Sequence, residues 1–220
     1  MKKLLLLLAI FSCHFANARD KEITITASQP TAKIFANGKE VGQGNAKILV
    51  KAYSSVVVEV SLSGYTTRKV TYYNDPQHPG LEKNYTIELY KDEAFENSID
   101  GANIANENIT INSEKEEDKA WKVISEIVTT QFDVLEVSDK STGYIRTSWN
   151  VQTIGTKTIR TRIIVKGASS DSKSTYKIKL ISEYSDVDGV NVKNDEAFKP
   201  WDRILKKYKD IIPELQDRLK

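Results

Sequence analysis

The sequence is poor in the residues that carry most enzyme chemistry. It has one cysteine, Cys13, and two histidines, His14 and His78. That scarcity excludes a disulfide framework, a Cys/His zinc site and most Cys–His or Ser–His catalysis. No nucleophile elbow or Walker A spacing occurs. Long apolar runs are scarce too. The longest, Leu4–Phe11, falls well short of the ~20 residues that a membrane-crossing helix needs. Neither sign of charge is in excess, with 32 basic and 30 acidic residues. What remains is ordinary globular composition, 40% hydrophobic and 28% charged, in 220 residues. That length suits one medium domain or two small ones.

The chain opens with an export pattern. Met1-Lys2-Lys3 is a basic start, Leu4–Phe11 is apolar, and Ala16-Asn17-Ala18 offers small residues before a cleavage point. Together residues 1–18 read as a secretory signal peptide. Ile10-Phe11-Ser12-Cys13 loosely resembles a bacterial lipobox. Two outcomes therefore stand open: cleavage after Ala18, which frees the chain, or lipidation at Cys13, which holds it at a membrane. Removal of Lys2 and Lys3 brings the 32 basic residues level with the 30 acidic ones, so the formal charge of +2 falls to zero. A neutral, exported chain is a poor nucleic-acid binder.

Residues 19–90 alternate with period two, which predicts strands. Ile23 and Ile25 alternate with Thr24 and Thr26; Val56, Val58, Val60 and Leu62 line one face; Tyr85, Ile87 and Leu89 form a third run. Asn37-Gly38 is a strong two-residue hairpin signal, because both central residues of a type I′ turn need positive φ. Gly42, Gly44 and Ser63-Gly64-Tyr65 mark further turns. The spacing predicts a small antiparallel β-sandwich.

Residues 91–107 are polar and read as a linker, with a short helical turn near Glu93–Asn97. Residues 108–220 follow a different plan. Ile109 and Ile111 predict a short strand. Ser113 and Glu116 have capping-box spacing, opening a helix over 114–130 with Ala120, Trp121, Ile124, Ile127 and Val128 on its apolar stripe. Four strands are expected at 132–138, 143–151, 157–166 and 174–184. A final helix is expected from Lys199-Pro200, lined by Trp201, Ile204, Leu205, Tyr208, Ile211 and Ile212, with a kink at Pro213. This predicts an α+β domain: an antiparallel sheet with two helices on one face.

The first domain resembles the PEGA domain, a small β-sandwich module of bacterial envelope and surface proteins. The residues that carry the likeness are Pro30-Thr31-Ala32-Lys33-Ile34-Phe35, Asn37-Gly38-Lys39-Glu40-Val41-Gly42 and Gly64-Tyr65. The resemblance implies a binding or spacing role and no enzyme activity. The second domain resembles the helix-grip domains of the C subunit lipoprotein of the outer-membrane β-barrel assembly machinery. That likeness rests on Ala120-Trp121, Phe132-Asp133-Val134, Asp139-Lys140-Ser141-Thr142-Gly143-Tyr144-Ile145 and Trp149. It implies a scaffold or partner-binding module at the envelope.

Candidate chemistry is thin. His78, in Pro76-Gln77-His78-Pro79, reads as a solvated loop residue. The oxygens of Asp186, Asp188, Asn191, Asn194 and Asp195 do not follow EF-hand order. Glu114, Glu116, Glu117 and Asp118 suit a helix start. Trp121, Trp149 and Trp201 are expected in the core.

The sheet of the second domain carries the one suggestive asymmetry. Ile145, Thr147, Trp149, Val151, Ile159, Thr161, Ile163, Val165, Tyr176, Ile178 and Leu180 are expected to face the helices. The open face then carries Arg146, Arg160, Arg162, Lys166, Lys177 and Lys179, a candidate surface for an anionic envelope partner. The chain is expected to be an exported, non-enzymatic scaffold or interaction module with no cofactor and no metal, and with membrane contact only in the outcome where Cys13 is lipidated. The alternative is a carrier holding a small apolar ligand between the last helix and the sheet.

Overall fold

The computed structural model of the chain describes residues 19–170 and 173–220. Residues 1–18, expected as a signal peptide and including Cys13, lie outside the described residues. The fold is rich in β-structure, and the chain divides into two compact units that part between Lys91 and Asp92.

Among the described residues the first unit contains seven strands: β1 (Lys21–Ala27), β2 (Lys33–Ala36), β3 (Lys39–Gln43), β4 (Asn45–Val50), β5 (Ser54–Ser61), β6 (Arg68–Asn74) and β7 (Asn84–Ile87). They follow one path, β6-β5-β2-β3-β4-β1-β7. At its middle β3 and β4 share only the pair Gln43–Asn45, so the path bends there. Every strand except the exposed β3 sends residues into one cluster that includes Ile23, Ile25, Ile34, Ile48, Val58 and Val60. A sheet buried on one face alone must fold over on itself to hide that face.

Asn37 and Gly38 adopt φ of 48° and 82°, joining β2 to β3 by a tight turn whose twist matches its strands. The Asn37 side-chain oxygen also accepts from the Val57 N–H at 2.9 Å. Gly44, at φ +67°, makes the bend between β3 and β4, where a Cβ would sit 2.4 Å from the Pro30 carbonyl oxygen. Gly64 turns at φ +84°, and Tyr65 follows it in a bridge to Lys91. Gly42, expected in a turn, lies within β3 instead. A Cβ there would come within 2.7 Å of the Asn45 carbonyl oxygen, so close approach rather than a turn calls for glycine. A second correction concerns strand direction. β7 runs parallel to β1, so the unit is not wholly antiparallel.

The second unit begins with α1 (Glu93–Glu96) and β8 (Ser98–Asp100), then β9 (Ile109–Asn112) and α2 (Glu117–Gln131). β10 (Leu135–Asp139), β11 (Tyr144–Thr147), β12 (Asn150–Ile154), β13 (Lys157–Ser170) and β14 (Lys173–Ser185) follow. β15 (Lys199–Pro200), β16 (Arg203–Leu205) and α3 (Ile211–Arg218) complete it. The long hairpin β13–β14 is the spine. β11 and β12 pair with opposite ends of β13, and β9 and β15 pair with opposite ends of β14. Ile124, Ile127 and Val128 of α2 and Ile211, Ile212 and Leu215 of α3 share one core with Ile145, Ile159, Ile163, Ile178 and Leu180 of the sheet.

Of the expected linker 91–107, residues 92–107 are built into this unit. Asp92 caps α1 and accepts from Lys157 Nζ at 2.9 Å. Burial opposes the charge on Lys157, but its bond to Asp92 and the nearby Asp186 outweigh that and raise its pKa. β8 pairs with β16. Asn106, at φ +63°, donates to the carbonyls of Ser182 and Trp201 and accepts from the Ser182 N–H at 3.1 Å. Its amide thus satisfies the edge of β14 between β9 and β15.

The final helix also departs from expectation. The stretch 199–210 forms β15, β16 and a 3-10 turn, and the helix starts at Ile211. Trp201, Ile204, Leu205 and Tyr208 are all buried, so helical spacing here reflects burial from a broken path. Pro213 sits in the first turn of α3, where its missing N–H costs no bond and makes no kink. Nor does Ser113 cap α2. Its hydroxyl donates to the Leu219 carbonyl at 3.1 Å, pinning the end of α3, and α2 starts after Glu116 with no side-chain cap.

Candidate interaction face

The expected strand 143–151 breaks at Ser148–Trp149, because β11 and β12 pair with different stretches of β13. Ile145 and Thr147 point into the core as expected. After the break Trp149 lies on the opposite face, over Arg160 at 4.2 Å and Arg162 at 4.0 Å, and Val151 is exposed. The other two tryptophans differ from each other, with Trp201 buried and Trp121 partly exposed on α2.

The strand register orders the face away from the helices into rows. Tyr144, Lys166, Lys177 and Thr110 lie across one row. Arg146, Ile164 and Lys179 form the next, then Arg162 beside Ile181, and last Arg160 beside Glu183. Lys166 and Lys177 are therefore directly opposite like charges, an arrangement that destabilises a bare sheet. No described carboxylate forms an ion pair with Lys166, Lys177 or Lys179. Arg146 Nε lies 3.0 Å from Glu136, but its N–H is not aligned on that oxygen, so the pair is a charge contact rather than a hydrogen bond. Arg162 rests on Trp149, and its buried Nε finds no partner among the described residues.

Arg160 does not belong to this open surface, contrary to the sequence reading. It is only 2% exposed. Its Nε donates to Glu183 at 2.7 Å, and its Nη1 donates to the Val192 carbonyl at 2.7 Å. Its Nη2 lies 2.6 Å from Glu183 and 2.8 Å from Asp195. The guanidinium is enclosed between Trp149 and Phe198, the latter at 4.0 Å. The loop after β14 folds back over this end of the face. Two of its acidic residues are used internally, Asp186 toward Lys157 and Asp195 toward Arg160. The face is thus neutralised at one end and carries unpaired cations at the other. Alternation by itself does not reveal that covering loop.

The interior offers little space. Ile124, Ile159, Ile163, Ile178, Leu180 and Leu215 between helices and sheet are all 0% exposed. Two shallow recesses at the margin measure about 60 Å³, beside Trp121 and Gly143, and about 90 Å³, beside Phe132 and Trp149. Both are well below the ~300 Å³ of an ordinary ligand pocket. His78, in the first unit, is held by Asp75 at 2.8 Å and stacks on Tyr73. The hydrogen bond from His78 lowers the Asp75 carboxyl below its ordinary value.

No family model matches the chain, and no curated protein is significantly similar to it.

Proposed function

We propose that the chain is an exported, non-enzymatic interaction module of a bacterial envelope that docks an anionic partner on the open end of its second sheet. The observation that carries this reading is the directly opposed pair Lys166–Lys177, flanked by Lys179, Arg162 and Arg146. Like charges held side by side without carboxylates cost stability, and an anionic surface set over them offsets that cost. Ile164 and Ile181 between the cations add apolar contact. Arg160 is not among the docking residues.

The first unit, read as a PEGA-like sandwich, serves as a spacer or binding module in this proposal. The second is read as helix-grip-like, with α2 and α3 on the inner face of the sheet. Export rests on the Lys2-Lys3 start, the apolar run and Ala16-Asn17-Ala18. The filled interior favours this role over that of an apolar-ligand carrier.

The test compares wild type with a Lys177→Glu/Lys179→Glu variant for salt-dependent association with envelope fractions, with the mass of the mature N-terminus measured in parallel. Loss of association in the folded variant is expected. Unchanged fractionation refutes the docking role, and a mature chain that still carries residues 1–18 refutes export.

A further inference from the structure

The first unit contains a cleft that the docking face does not involve. β6 and β7 are the two ends of the strand path, and the chain between them, residues 75–83, connects the two free edges. Tyr72 of β6 and Tyr85 of β7 meet across that seam with ring centroids 4.5 Å apart. Between seam and loop lies a cleft of about 290 Å³, walled by Tyr72, Tyr73, His78, Leu81, Glu82 and Tyr85. This is far more room than a water molecule takes, and too small a volume for an added strand of about five or six residues.

Its walls are fixed in advance. Tyr73 and His78 stack with centroids 3.9 Å apart and planes 5° from parallel. Asp75 holds the His78 ring through Nδ1 at 2.8 Å and also accepts from the Gln77 N–H at 2.9 Å. The Tyr85 phenol oxygen accepts from the Glu82 N–H at 2.8 Å, tying the far side of the loop to β7. Tyr73 nonetheless leaves 38% of its surface exposed.

Polar groups fringe these rings. Tyr72 and Glu82 line the cleft, and neither the Tyr72 hydroxyl nor the Glu82 carboxylate has a hydrogen-bond partner among the described residues. His78 also lines the cleft, and its second nitrogen, Nε2, has no hydrogen-bond partner among the described residues. Aromatic faces with a few convergent donors and acceptors match a ligand with apolar faces and a rim of hydroxyls. Asp75 and Glu82 make the site unfavourable to anions.

From this geometry we infer that the seam between β6 and β7 binds a neutral pyranose ring of a glycan, stacked on Tyr73 and hydrogen-bonded by Tyr72 and Glu82. Rings held rigidly before binding lose little freedom when the sugar arrives. The site is independent of the cationic sheet face, and either proposal stands without the other.

The experiment titrates the mature chain with chitotetraose and cellotetraose, followed by saturation-transfer NMR and calorimetry. Polygalacturonate serves as the anionic comparison. At least one neutral oligosaccharide is expected to bind and to receive saturation from tyrosine ring protons. Tyr73→Ala is expected to weaken it about five- to tenfold, whereas Tyr73→Phe stays within about twofold, since stacking needs the ring and not the hydroxyl. Tyr73→Phe, which keeps the stack on His78, should unfold at the wild-type denaturant concentration, and Tyr73→Ala, which loses it, should still unfold cooperatively at a slightly lower one. Absence of saturation transfer at millimolar sugar overturns the inference. So does affinity unchanged by Tyr73→Ala, tighter binding of polygalacturonate, or quenching of tryptophan emission, since all three tryptophans are in the second unit.

Discussion

Removing Arg160 should damage the second unit more than removing any other cation of its sheet, and the structure sets the scale. In Arg160→Ala the Glu183 carboxylate loses the guanidinium that binds it through two nitrogens, at 2.7 and 2.6 Å. Breaking a buried pair by deleting one partner costs about 3–5 kcal/mol. Glu183 keeps 22% of its side-chain surface in contact with water, so the lower end of that range applies. Asp195 is 81% exposed and adds little. Loss of the cation from between Trp149 and Phe198 adds about 1 kcal/mol. The expected total is about 3–4 kcal/mol, a large share of the ~5–15 kcal/mol that holds a domain folded. Arg162→Ala, which loses one aromatic contact and no ion pair, should cost about 1 kcal/mol. The assay is urea unfolding followed by tryptophan emission, which reports on the second unit alone because Trp121, Trp149 and Trp201 all lie there. An Arg160→Met/Glu183→Leu double variant should recover most of the loss, since a well-packed apolar pair often replaces a buried ion pair without penalty. A loss below about 1 kcal/mol for Arg160→Ala, or equal losses for Arg160→Ala and Arg162→Ala, refutes the assignment of Arg160 as a structural clamp.

Two further outcomes follow from individual groups. The Tyr208 ring stacks on Phe132 at 5.0 Å, but its buried hydroxyl has no partner among the described residues. Tyr208→Phe should therefore stabilise the second unit by up to about 1 kcal/mol at neutral pH. Burial, with the charge of Asp133 second, raises the Tyr208 pKa well above its ordinary value. Folding thus favours the neutral phenol. That contribution is complete below about pH 10, the unfolded tyrosine pKa, and declines as the pH rises further. Alkaline denaturation curves should accordingly shift to higher pH in Tyr208→Phe, and coincident curves count against the reading. Lys177→Glu replaces a like-charge pair with an opposite-charge pair beside Lys166 and should raise stability by about 0.5 kcal/mol while weakening the anionic association. A variant that is less stable than wild type but binds equally well contradicts both parts.

The strand-rich character, the Asn37-Gly38 turn and the inward-facing Ile159, Ile163, Ile178 and Leu180 were all legible in the sequence. Alternation and turn chemistry are local, and a period-two pattern says which side of a strand must be hidden. The cationic face was legible for the same reason, since Arg162 and Lys166 share one side of β13 and Lys177 and Lys179 share one side of β14. What pairs with each edge was not legible. Asn106 reads as a loop residue until its amide is seen bridging Ser182 and Trp201. Residues 199–210 have helical spacing but are drawn into β15 and β16 because the edges of β14 and β8 offer them backbone partners.

The same division explains the candidate sites. Composition by itself determined the scarcity of thiol and imidazole chemistry, and alternation along each strand determined which of its residues share a face. Only tertiary structure decided that Trp149 crosses to the outer face, that the loop after β14 encloses Arg160, and that the 75–83 connection leaves a cleft between two sheet edges. Those outcomes depend on residues distant in sequence meeting in space, and the free energy of such meetings is not written in any local pattern.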